Sequence, residues 1–190
     1  MRASTTKILQ AARRCFFQHG YSSTTVSLIS KYAEVSRVTI HKQFCSKEHI
    51  FKKVLEHYLV ESKDQMTEIL ASHSDCWSMI NALMNNWLDE VFKEISDDIT
   101  RNDLIYSARK HCKDVLIELR DSECHAIEQA LAQGVKDKEV DLSRINMTCA
   151  ELADLLETSF GGIINTHKDG DPSLFVSSLL KIYQEATRPI

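Results

Sequence analysis

Three features of this 190-residue chain predict an all-α fold. Five glycines and two prolines are few breakers for the length, no segment alternates β-branched with polar residues, and apolar residues recur instead at spacings of three and four. With 43% hydrophobic and 26% charged residues, there is material for one substantial core, or for a small module joined to a larger one. No stretch approaches roughly eighteen uninterrupted apolar residues, and the N-terminus lacks a basic start followed by a long apolar run. Neither membrane insertion nor export is therefore expected, and the cytoplasm is the expected compartment. The six cysteines (15, 45, 76, 112, 124, 149) form no CxxC pair, which fits reduced, packed thiols.

The net charge of −4 hides an asymmetry. Residues 1–53 carry ten Lys and Arg against two acids, net +8, so the remainder carries thirteen against twenty-five, net −12. A basic head on an acidic body points to a polyanionic partner for the head alone.

The first helix is expected over Ser4–His19, where Ile8, Leu9, Ala12, Cys15 and Phe16 share a face and Gly20 supplies a stop. Thr24 or Thr25 caps a second helix to about Tyr32, with Val26 and Ile29 inward, and either hydroxyl is placed to meet a phosphate as well. Ser36 then caps a third helix of seven or eight residues. Ile40 and Phe44 lie on one of its faces, and Arg37, Val38, His41 and Lys42 on the other. So short a helix is unstable alone, so Val35, Ile40 and Phe44 must be buried by neighbours, leaving the opposite face free for a groove. Ser46 caps the next helix, whose first residue, Lys47, stands where the helix dipole disfavours a cation by roughly 0.3–1 kcal/mol. A phosphate at that point would account for it.

These residues carry a resemblance. Ile8, Ala11, Phe16, Gly20-Tyr21, Thr24-Thr25-Val26, Ile29, Ala33, Val35-Ser36, Thr39-Ile40, Phe44, Ser46-Lys47-Glu48, Phe51 and Val54 fall in the order, without gaps, of the DNA-binding domain of the tetracycline-repressor (TetR) family of transcriptional regulators. Three positions depart from the family: Glu34 stands for its usual Gly, His41 for Tyr and Gln43 for His. They bear on the backbone angles of the turn and on single phosphate contacts, not on the fold. The resemblance implies a helix-turn-helix domain over 1–52 and a ligand-binding and dimerisation domain over 53–190, about nine helices in all. Thr24, Thr25, Ser36, Arg37, Val38, Thr39, His41, Lys42 and Lys47 are then the expected DNA-binding residues. Arg37 and Val38 are assigned to base edges, and Thr39, Lys42 and Lys47 mainly to phosphates.

The fourth helix is expected to run from Ser46 to about Ser72, linking head and body. After a break at 72–76, a helix from Trp77 to about Ile95 is apolar around more than half its circumference and holds both tryptophans. A shorter helix over Arg101–Lys110 and a longer one over Cys112–Gln133, stopped by Gly134, follow. In the resemblance these three surround a small-molecule pocket, for which Trp77, Trp87, Phe92, Ile105, Tyr106, Leu116 and Leu119 are the candidates. The connector 134–142 is charged and expected to be exposed. A helix over Ser143–His167, a loop over 169–172 and a last helix to about Thr187 complete the chain. In the resemblance the last two helices pair with their copies in a second subunit, and Phe160, Ile164, Phe175, Leu179 and Ile182 are the expected interface.

His111, Asp114, Glu118, Asp121 and His125 share one helix face and resemble a ligand set, but an apolar stripe opposite makes a solvated face the expectation, and no metal or other cofactor is assigned. With no phosphate-binding Gly-rich loop, no G-x-S-x-G and no zinc-like Cys/His spacing, no catalytic residue is assigned either. The reading is a homodimeric repressor of a palindromic double-stranded DNA operator, released by a small-molecule effector. Its rivals are a helical enzyme or metal-binding protein using His111, Glu118 and His125, and an effector-independent DNA-binding protein.

Overall fold

The computed structural model describes residues 3–72, 75–92, 94–95, 97–166 and 172–190. Among them it contains nine α-helices, α1 (Ala3–Ser23), α2 (Val26–Ala33), α3 (Arg37–His41), α4 (Lys47–Ser72), α5 (Cys76–Phe92), α6 (Asp98–His111), α7 (Lys113–Lys136), α8 (Cys149–Thr166) and α9 (Ser173–Ala186), with one 3-10 turn at Leu142–Arg144. No helix of the described residues is long and apolar enough to cross a membrane. The chain forms two compact units, one from Met1–Glu61 with Lys93–Glu118, the other from Ser62–Phe92 with Leu119–Ile190. These units do not coincide with a division at 52/53, because α6 packs on α1 and so joins the N-terminal helices.

In the first unit the inward face of α1, with Ile8, Ala11, Ala12, Cys15 and Phe16, is completely buried. Phe51 of α4 lies edge-on to Phe16 at 4.9 Å and against Tyr21 at 4.8 Å, so three aromatic rings tie the end of α1 to the start of α4. Gly20 interrupts α1 at φ 76° and ψ 171°, where the stop is expected, and one further turn to Ser23 follows. A Cβ on Gly20 would stand 2.5 Å from Asp103 Oδ2. The Asp103 oxygens accept from the Ser22 N–H at 2.8 Å and the Ser22 hydroxyl at 2.6 Å, so both the backbone angle and the close approach require glycine.

In the second unit Trp87, Leu83 and Ile80 of α5, Ile127 and Leu131 of α7, Leu152, Leu156 and Phe160 of α8, and Val176 and Leu180 of α9 form one core. Several boundaries differ from the sequence expectation. α7 does not stop at Gly134 but continues to Lys136. Gly134 serves close packing instead, since a Cβ there would lie 2.6 Å from Cys76 Cβ, and the chain turns at Lys138, φ 63°. The connector is less exposed than its charge suggests: Val140 is buried and the Asp141 N–H donates to the Thr187 carbonyl at 2.7 Å. α8 starts at Cys149 rather than Ser143, because Asn146 takes a left-handed angle of 51°. A reciprocal cap then sets its start, with the Thr148 N–H donating to Glu151 Oε2 at 2.8 Å and the Glu151 N–H to Thr148 Oγ at 3.2 Å. α6 begins at Asp98, three residues early, because Asp97 Oδ1 caps the Thr100 N–H at 2.9 Å. The expected break at 73–74 and loop at 169–171 lie outside the described residues.

Candidate nucleic-acid interface

Two capped helices and a strained turn build the surface. Thr25 Oγ accepts from the Leu28 N–H at 3.1 Å and starts α2. At its far end Glu34 adopts φ 51° and ψ 40°, the left-handed region expected from the position of the missing glycine, while its carboxylate pairs with Lys7 at 2.9 Å. The Val35 N–H donates to the Ser30 carbonyl at 3.1 Å and the Ser30 hydroxyl to the Val35 carbonyl at 2.5 Å, which locks the turn from both sides. Ser36 Oγ then accepts from the Thr39 N–H at 3.1 Å and starts α3.

α3 has five residues, fewer than expected, because the N–H groups of Gln43 and Phe44 both converge on the Ile40 carbonyl, at 2.9 Å and 2.8 Å, and close the last turn. Ile40 and Phe44 are buried as expected, and Val35 is half-buried. Opposite them Val38 is 63% exposed, and Ser36, Arg37, His41 and Lys42 are exposed with it; Thr39 is half-buried. The Arg37 guanidinium donates to Ser27 Oγ of α2 at 3.1 Å, a partner that no sequence spacing signals. Gln43 faces inward: the Thr5 hydroxyl donates to its Oε1 at 2.6 Å and its Nε2 donates to Ser4 Oγ at 3.3 Å, clamping α1 to the end of α3.

Two expected phosphate contacts read differently in the structure. Thr24 is completely buried, and its hydroxyl donates inward to the Gly20 carbonyl at 2.6 Å and the Cys15 carbonyl at 3.1 Å, so only Thr25 of the pair stays exposed. Lys47 is half-buried, donating to the Tyr21 carbonyl at 2.8 Å with its ammonium 4.1 Å from the centre of the Tyr21 ring. An internal carbonyl and an aromatic face therefore account for a cation at this helix start without a phosphate. Beside it, hydrogen bonds from the Ser46 hydroxyl, its own N–H and the Tyr21 hydroxyl hold the Glu48 carboxyl down to about 2.

The remaining candidates are spread over the fold. Trp77, Trp87 and Leu119 belong to the second unit, whereas Ile105, Tyr106 and Leu116 belong to the first, so neither unit alone assembles the expected pocket set. Tyr106 is 67% exposed, and the side chain of Phe92 lies outside the described residues. Phe160 is buried and edge-on to Trp87 at 5.6 Å, which makes it a core residue and not a surface one. Phe175 and Ile182, by contrast, are exposed on α9, with Ile164 and Leu179 half-buried nearby in sequence. Residues of the apparent ligand set engage separate partners. His111 stacks near Tyr21 at 5.2 Å, Asp114 pairs with Lys52 at 2.5 Å, and His125 lies 3.0 Å from Gln129. Among the described residues no three His, Cys, Asp or Glu side chains are grouped to hold a metal ion.

Residues 8–54 match the family described as bacterial regulatory proteins, tetR family. Over 63 residues, a third of each chain, the sequence is 38% identical to the uncharacterized HTH-type transcriptional regulator YhgD of Bacillus subtilis. Over 189 residues it is 24% identical to the HTH-type transcriptional repressor AcnR of Corynebacterium diphtheriae, covering 96% of this chain and 90% of that one. The fold is similar to that of a solved TetR-family regulator from Agrobacterium tumefaciens, with a TM-score of 0.73 at 18% identity over 99% of both chains.

Proposed function

Because the chain belongs to the tetR family of bacterial regulatory proteins and is a helix-turn-helix transcriptional regulator, we propose that it acts as a homodimeric repressor that holds a palindromic double-stranded DNA operator in the cytoplasm until a small-molecule effector binds. The observation that carries the reading is the two-faced α3: Ile40 and Phe44 fix it from within, while Arg37, Val38, His41 and Lys42 stand exposed on a head of charge +8. Arg37 and Val38 read base edges, and Thr25, Ser36, Thr39, His41 and Lys42 hold the flanking phosphates. Thr24 and Lys47, with their internal partners, brace the head. Repression is supported by the likeness to AcnR along nearly its whole length. Dimerisation is supported by the exposed apolar face of α9, and an effector by the Met- and Trp-containing core of the second unit. Two heads place their α3 helices in successive major grooves when roughly 34–36 Å apart.

Selection from a pool of randomised duplexes tests this. The expected product is an inverted repeat bound by two chains, with affinity falling steeply as salt rises. Selection that yields no common sequence, or one chain bound per asymmetric site, overturns it.

A further inference from the structure

The second unit leaves two buried donors unsatisfied. Ser62 of α4 and Trp87 of α5 are 1% and 2% exposed, and neither Ser62 Oγ nor Trp87 Nε1 has a hydrogen-bond partner among the described residues. Glu157 Oε2 is also buried outside hydrogen-bond geometry, but it lies 2.8 Å from Arg120 Nε, so its charge is met. The other two have no such partner. An Ala in place of Ser62 would fill nearly the same space and leave nothing unpaired, so that hydroxyl costs stability in the protein as it stands; a Phe in place of Trp87 would remove the unpaired N–H but leave a small cavity beside Phe160.

Asn86 of α5 donates to Gln65 of α4 at 3.3 Å, so the two helices meet within one turn of Ser62 and next to Trp87. Met66, one turn after Ser62 on the same face of α4, belongs to the same core as Trp87 and Phe160. It also lines an open groove of about 280 Å³ whose other lining residues include Lys63, Leu70, Ser122, His125 and Gln129. Met66 thus borders both the groove and the core that holds Trp87, and methionine is the side chain that repacks most readily.

We propose that Ser62 and Trp87 are the polar subsite of the effector site, and that the effector is an apolar molecule carrying a neutral carbonyl: a ketone, aldehyde or ester. It enters between α4 and α7, turns Met66 aside, and accepts hydrogen bonds from the Trp87 indole N–H and the Ser62 hydroxyl. The chemistry follows from the donors. An indole N–H can only donate, so the ligand must accept, and one carbonyl oxygen has two lone pairs for two donors. Both donors are neutral, so a carboxylate held by these two alone would be buried without a counter-ion. The proposal rests on the effector-responsive reading above.

The test uses the full chain with indole nitrogens labelled by ¹⁵N, Trp77→Phe assigning the two signals, and three probes of equal chain length: 2-decanone, decane and decanoate. The ketone is expected to shift the Trp87 indole proton downfield and to bind at least tenfold more tightly than the other two. Ser62→Ala and Trp87→Phe should each lose that advantage, and Ser62→Ala should melt no earlier than the parent. Equal binding of ketone and decane, tighter binding of decanoate, or an unmoved Trp87 signal in the parent chain overturns the proposal even if Trp87→Phe fails to fold. Release of the selected duplex is read separately. Contact at Trp87 without release leaves the subsite standing and overturns the effector reading, whereas release with Trp87 unmoved overturns the subsite alone.

Discussion

Glu34 holds a left-handed backbone angle that glycine adopts freely, and its ion pair with Lys7 is solvent-exposed, so the pair offsets little of the strain. Glu34→Gly should therefore stabilise the head. Relief of about 1–2 kcal/mol is opposed by about 0.4–1 kcal/mol of added freedom in the unfolded chain, leaving a net gain of up to about 1.6 kcal/mol. Urea midpoints of the two proteins check it, and a loss would mean the ion pair outweighs the strain. Arg37 and Lys42 are exposed on the same short helix yet should fail differently. If Arg37 leaves Ser27 to grip a guanine, Arg37→Ala costs about 1–3 kcal/mol and relaxes preference at one base pair, whereas Lys42→Ala weakens all sequences alike and lowers the salt slope by about one. Matched selections on both variants decide this; equal loss of preference would remove the division between reading and holding.

At the scale of elements, the glycines separate what a sequence declares from what it conceals. Gly20 reads as a stop and is one, because its reason is a local backbone angle. Gly134 also reads as a stop, but its reason is the Cβ of Cys76, 58 positions away, which no spacing reveals. Gly134→Ala should thus destabilise the second unit despite a helix-propensity gain of about 1 kcal/mol, since forcing a methyl into packed contact costs about 1–3 kcal/mol. A melting temperature that rises would show that α5 can move away. The start of α8 is marked in the sequence by the capping box Thr148-x-x-Glu151, but Ser143 offers a competing start five residues upstream. The helix-turn-helix was legible almost residue by residue, because capping hydroxyls and an i, i+4 apolar pair are local signals. The inward turn of Thr24, the seat of Lys47 on Tyr21 and the burial of Phe160 were not, since each depends on a partner brought in by the tertiary fold.

For the whole molecule, what has to be explained is an acidic body that keeps large apolar side chains in water. On α9, Leu174 is 70% and Ile182 65% exposed, while Val176 and Leu180 face the core of the same unit. A helix apolar on its inner face is ordinary; one that is apolar on its outer face as well has a second surface to cover. A second copy of α9, with α8, is the expected cover, and dimerisation would also raise DNA affinity, because the second head then binds as if at high local concentration. Ile182→Asp should therefore give monomers that keep their helical content and bind a half-site normally, but bind the palindrome at least a hundredfold more weakly. Phe160→Ala supplies the contrast. Its ring is packed on Trp87 inside the unit, so the loss should appear as about 3–5 kcal/mol of folding stability rather than as dissociation of folded chains. Sedimentation of both variants separates the cases. A dimer undiminished by Ile182→Asp together with Leu174→Asp would place the interface on another face, while folded monomers of Phe160→Ala would return that residue to the interface.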